Sequence, residues 1–166
     1  MVRQASVFLA VFVALLIGGS VGEAEAQSQV ATASLERIPK LEIVINALEG
    51  AAADVGVASG VLRSLVDAKL RQDGIPVTDF AVAFLTIDVT AIPLEAGPDI
   101  VLLTSLSFFQ PVASTLNRWL GPARTWSMER LTVTGMSRAE EALRADVEHL
   151  ADAFVVSWRA ANPPLE

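Results

Sequence analysis

Residues 137–161 read SRAEEALRADVEHLADAFVVSWRAA, and this stretch decides how the rest of the chain must be arranged. Successive residues of a helix turn by about 100°, so one buried stripe repeats every three or four positions. With Leu143 as reference, Ala139, Val147, Leu150, Phe154, Trp158 and Ala161 fall near one line. Glu141, Glu148, Asp152 and Arg159 fall opposite. Ser137 with Glu140 three residues on is the pattern of a capping box. Asn162-Pro163-Pro164 ends the segment, because proline lacks the next donor and pushes its predecessor out of helical geometry. A helix of about 25 residues is roughly 37 Å long. Its apolar stripe needs a sheet to lie on.

The strands that supply the sheet come earlier. Leu41, Ile43 and Ile45 alternate with Glu42, Val44 and Asn46, the period of a strand with one buried face. Gly50 to Gly56 reads as an alanine- and glycine-rich turn. Ala58 to Asp73 returns to helical spacing, with Ala58, Leu62, Leu65, Val66 and Leu70 on one side and Gly74 as a stop. Phe80 to Ile92 alternates Ala83, Leu85, Ile87 and Val89 against Val82, Phe84, Thr86 and Asp88. Asp99 to Phe109 is apolar on both faces in its first half, and Arg124 to Thr134 alternates again. The order is β-α-β-β-β-α. It predicts a two-layer α+β domain, a four-stranded antiparallel sheet with two helices on one face.

Composition narrows the rest. The 166 residues are 52% hydrophobic and 19% charged, which excludes a disordered chain and fits a single core. The net charge of −7 and the lack of a basic run argue against nucleic acid as a partner. With no cysteine, disulfides, thiolate catalysis and thiolate metal sites are excluded, as is lipid attachment at a cysteine. Residues 1–26 have the parts of an export signal: Arg3, an apolar run from Ala5 to Ile17, then Ala24-Glu25-Ala26 as an A-x-A cleavage site. Cleavage there would start the mature chain at Gln27. The competing reading is an uncleaved anchor, and a membrane role is expected only if residues 1–26 are retained. Residues 27–39 read as a linker and 40–163 as one domain.

Several phrases resemble a widespread group of small exported bacterial proteins without assigned activity. They are Val66-Asp67-Ala68-Lys69-Leu70-Arg71, Gly74-Ile75-Pro76-Val77 and Leu85-Thr86-Ile87-Asp88-Val89, then Arg124-Thr125-Trp126-Ser127, Leu150-Ala151-Asp152-Ala153-Phe154 and Asn162-Pro163. The resemblance spans about residues 40–163 in order. It implies an α+β arrangement of a sheet and two helices, and it brings no catalytic or binding residues with it.

Candidate chemistry is sparse. His149 is the only histidine and reads as a surface residue of the last helix. Glu140, Glu141, Asp146, Glu148 and Asp152 read as a solvated flank and not as metal ligands. Asp88 paired with Glu129 is the one arrangement that could serve as two glycosidase carboxylates, yet both alternate with threonine and serine as on an ordinary wet face. There is no G-x-S-x-G elbow, no G-x-G-x-x-G and no phosphate-binding loop. The expectation is therefore a non-enzyme, with no catalytic residues, no cofactor and no metal.

Of the three tryptophans, Trp158 reads as core and Trp126 could take either face of its strand. Trp119 lies in Gln110 to Pro122, the longest connection between strands. Leu116, Arg118, Trp119 and Leu120 are the predicted partner-binding residues, since apolar anchors flanked by arginine are the makings of an interface hot spot. The same strand parity puts Val101, Leu103 and Phe109 on the face away from the helices, and the loop either joins them in one patch or folds back over them. The expected function is a protein-interaction module of the cell envelope, periplasmic or secreted, bound to another envelope protein. One alternative is a membrane-tethered accessory subunit of a larger complex, held at the inner membrane by the N-terminal segment. Another is a carrier of an apolar small molecule in a cavity lined by Leu85, Leu102, Leu106 and Phe154.

Overall fold

A computed structural model describes residues 31–95 and 97–163; the export signal and the Gln27 start lie outside the described residues. The elements are β1 (Glu42–Ile45), α1 (Ala51–Asp54), α2 (Ser59–Gln72), β2 (Phe84–Pro93), β3 (Asp99–Ala113) and β4 (Leu120–Gly135). A 3-10 turn (Met136–Arg138) then leads into α3 (Ala139–Ala161). The four strands form one sheet in the order β1-β2-β3-β4.

α2 and α3 lie on the same face of that sheet, as their stripes require. Leu62, Val66 and Leu70 of α2 and Leu143, Val147, Leu150 and Phe154 of α3 are buried in a single cluster. Ile43, Leu85, Ile87, Ile100, Leu102, Leu106 and Phe108 meet them from the strands. Phe154 sits at its centre: its ring is 5.1 Å from that of Trp126 in an edge-on contact, 5.9 Å from Phe108 and 6.2 Å from Trp158. Trp126 thus takes the helix face, and its indole N–H donates to Ser157 Oγ at 3.2 Å. The two helices are tied to each other by ion pairs from Lys69 to Asp152 (2.5 Å) and from Arg159 to Asp73.

The sheet is mixed and not fully antiparallel. β1 pairs with β2 in parallel, Glu42 beside Phe84 through Ile45 beside Ile87, whereas β2-β3 and β3-β4 are antiparallel. The reason lies in the connection. From Ile45 the chain crosses the sheet through α1 and α2 before β2 begins, and a strand that follows such a crossover runs parallel to the one before it. The expected turn at Gly50 to Gly56 contains α1, a single helical turn that buries Ala52.

Three local expectations are also corrected. The capping box does not form: Arg138 is the residue ahead of α3, with no side-chain cap, and Glu140 bonds Arg144 at 2.7 Å instead. β2 starts at Phe84 and not at Phe80. The preceding residues are drawn toward α2 by the Arg63–Asp79 ion pair and leave Phe80 and Val82 exposed. From the expected linker, Leu35 and Ile38 are buried in the core. Asn162 holds this entering segment to the end of α3, accepting from the Arg37 N–H and donating to the Leu35 carbonyl, both at 3.0 Å.

Candidate functional site

The strand pairing beyond Phe109 makes the candidate site. β3 and β4 continue past the last pair with β2, Phe84 beside Phe109, and run on together to Ala113 beside Leu120. The connection expected to span Gln110 to Pro122 is therefore only residues 114–119, at the tip of a two-stranded arm. Pro111 and Pro122 hid this in the sequence, because proline usually breaks a ladder. Here they face each other across the arm. The Ser114 N–H donates to the Trp119 carbonyl, which fixes the alternation and turns both proline nitrogens away from the ladder.

The tip is held by its own bonds. The Arg118 N–H donates to the Ser114 carbonyl at 3.0 Å, and the Trp119 N–H to Asn117 Oδ1 at 3.1 Å. Arg118 takes φ 56°, a left-handed conformation that closes the turn. Leu116 is 98% exposed, Leu120 70% and Trp119 51%. Trp119 lies flat on the backbone of Gly121: a Cβ added there would fall 2.2 Å from the indole ring. The indole is thus seated against the arm at Gly121 and about half exposed. The four predicted partner-binding residues are brought together, exposed, and set on a hydrogen-bonded turn.

The single patch that joined them to Val101 and Leu103 does not exist. The open face of the sheet is built in rows: Ile92, Val101 and Val133; Thr90, Leu103 and Leu131; Asp88, Ser105 and Glu129; Thr86, Ser107 and Ser127; then Phe84, Phe109 and Arg124 at the arm. Leu103 is ten residues from Ala113, roughly 34 Å along the strand. The loop cannot reach it, whether to join it or to cover it. Phe109 is sheltered instead by Phe84, whose ring stacks on it at 5.2 Å and 6°.

The two-carboxylate arrangement fares no better as a catalytic site. Asp88 and Glu129 stand on either side of Ser105, two strand spacings or about 10 Å apart, on the face opposite the helices. Asp88 accepts a hydrogen bond from Asn46. An open sheet face offers no walls to hold a substrate between them. His149 is exposed on α3. Among the described residues, no three His, Asp or Glu side chains converge as metal ligands. Leu85, Leu102, Leu106 and Phe154, the proposed lining of a carrier cavity, are all packed into the common core.

No family model matches the chain, and no curated protein does. Eleven solved chains match it in fold. A minor lipoprotein from Acinetobacter baumannii is 13% identical, covering 75% of this chain and 93% of its own, with a TM-score of 0.43. The PelC dodecamer from Paraburkholderia phytofirmans is 17% identical, covering 76% of this chain and 91% of its own, also at 0.43.

Two features escaped sequence reasoning. Asp146, read as part of a solvated flank, is buried between α3 and β4, where it accepts from Arg130 Nε at 2.6 Å and Thr132 Oγ1 at 3.0 Å. Its position three residues after Leu143 and four before Leu150 carried the signal. The second is a groove of about 770 Å³ between the β4 edge, α3 and the entering segment, bordered by Ala31, Thr32, Met128, His149, Ala153 and Val156. No single segment of sequence encodes it, because it arises only when the helix stops short of the sheet edge.

Proposed function

We propose that this chain is a non-catalytic interaction module of the cell envelope that binds another envelope protein through the tip of its β3–β4 arm. The observation that carries the reading is the tip itself. Leu116, Trp119 and Leu120 gather on a short, internally bonded turn, far from any core they could join. An aromatic already laid against Gly121 gives up little conformational freedom on binding, which is what a hot-spot anchor requires. Arg118 beside it supplies a rim charge. Export of the chain is supported by the A-x-A pattern after a short apolar run. No helix among the described residues is long and apolar enough to cross a membrane, so the tethered alternative rests wholly on residues 1–26.

Trp119→Ala separates the two roles a tryptophan can have. An anchor for a partner should leave the thermal unfolding of the isolated chain nearly unchanged and weaken association by about 2 kcal/mol or more. A chain that loses stability while its association is untouched would remove the arm from the interface.

A further inference from the structure

β4 is one of the two outer strands of the sheet, and its outer edge is unevenly protected. The Met136 N–H donates to the Pro98 carbonyl, and the Leu94 N–H to the Asp99 carbonyl. These two bonds fix the alternation along β3 and β4. Trp126, Met128, Arg130, Thr132 and Thr134 bond inward to β3; Ser127, Glu129, Leu131 and Val133 turn their N–H and C=O groups outward. Natural sheets blunt such edges with proline, bulges or charge. The lower part of β4 has a proline, Pro122, and the bulge at Thr125, and the Ser34 hydroxyl donates to the Thr125 carbonyl at 3.3 Å. From Trp126 to Gly135 there is no proline and no bulge. Arg130 is tied to Asp146, which leaves Glu129 as the one charge not engaged in an ion pair among these described residues.

The flank of α3 beside that edge is apolar, and among the described residues the groove between the two is bordered also by Ala31 and Thr32 of the entering segment. Around the helix, every charged residue except Asp146, which is buried against Arg130, occupies one sector: Glu140, Glu141, Arg144, Glu148, Asp152 and Arg159. The sector toward β4 carries Ala142, His149, Ala153, Val156 and Ala160, with Val156 66% exposed. A chain of charge −7 repels its own copies over most of its surface, so a charge-free flank of small residues is where two copies can approach.

We propose that two copies of this chain join antiparallel along Trp126–Gly135, making one eight-stranded sheet with both α3 helices side by side on one face. A two-fold axis perpendicular to the sheet keeps the helices of both copies on the same side. If it passes through Met128, Arg130 or Thr132, outward groups meet outward groups and Glu129 never faces its own copy; the Arg130 axis sets Arg130 opposite itself, each guanidinium paired with its own Asp146. The spacing closes as well. α3 packs on both β3 and β4, and an axis midway between the two strands would lie about half a strand spacing inside the edge. Two strands about 4.8 Å apart then set the α3 axes roughly 10 Å apart, the distance at which helices pack. Alanines at the contact suit that approach, and the groove bordered by Met128, Ala153 and Val156 becomes the seam. This interface is separate from the arm tip and does not depend on it.

The test is the native mass of the full exported chain at about 100 µM, where even a weak homodimer is populated. It is read alongside two substitutions. Leu131→Pro removes an outward N–H without touching the bonds to β3, and Val156→Glu puts charge on the exposed flank. The expected result is a mass of two chains that each substitution shifts to one, with dissociation constants raised about tenfold or more. Circular dichroism confirms that Leu131→Pro keeps its fold; if it does not, Val156→Glu carries the comparison alone. The absence of cysteine gives a second readout. Met128→Cys, Thr132→Cys and the double variant place thiols across every one of the three axes at a separation a disulfide can span. At least one of the three should cross-link between chains on oxidation. A single-chain mass for the wild type, a dimer that survives both substitutions, or no inter-chain disulfide in any of the three variants would overturn the proposal.

Discussion

At the scale of single residues, the site depends on a contact between a large side chain and a missing one. Trp119 can lie against the arm only because residue 121 has no Cβ. Gly121→Ala would drive a methyl group into the indole ring, so the ring must leave. Because the arm stands outside the core, global stability should change by no more than about 0.5 kcal/mol. The tryptophan fluorescence should change and association should weaken. Unaltered association with a displaced indole would show that its seat on the arm is irrelevant to binding. The sequence showed Trp119 as an apolar residue without a core, but not its dependence on Gly121, which is a matter of strand parity and close approach. Asp146 was misread for a related reason. An acid on a helix looks solvated until the strand opposite is known to carry Arg130 and Thr132.

At the scale of elements, the two long helices were legible almost to the residue, because a 3.6-residue period over many turns is hard to imitate, whereas the single turn of α1 was not. α2 was expected at Ala58–Asp73 and spans Ser59–Gln72; α3 was expected at Ser137–Ala161 and spans Ala139–Ala161. Strand faces were equally legible, as Leu85 and Ile87 point inward and Thr90 and Ile92 outward. Strand ends and direction were not. Alternation says which face is buried but not which neighbour a strand will take, so β1 was given the wrong direction. Prolines at 111 and 122 hid the extension that forms the arm. The central packing claim rests on α3, whose Phe154 touches Phe108, Trp126 and Trp158 at once. Phe154→Ala should cost roughly 3–5 kcal/mol in denaturant unfolding. A loss within about 0.5 kcal/mol would mean that the helix is not seated as described.

At the scale of the whole molecule, the chain divides its labour between a packed body and a projecting arm. Helices close one face of the sheet, the opposite face is polar in its middle rows, and the arm carries apolar side chains away from both. Such a shape suits an exported chain that docks to something fixed. Mass analysis of the exported protein should find Gln27 as its first residue. Recovery of Met1 or Val2 would favour the tethered form. The binding role of the arm is tested most directly in intact cells. A photo-reactive amino acid replaces Leu116 or Leu120, with Glu148 on the helix layer as the comparison site. Both arm positions should give the same discrete protein adduct, absent at position 148 and lost when Trp119→Ala is added. Arm positions that give no adduct, or the same adducts as position 148, would contradict the account.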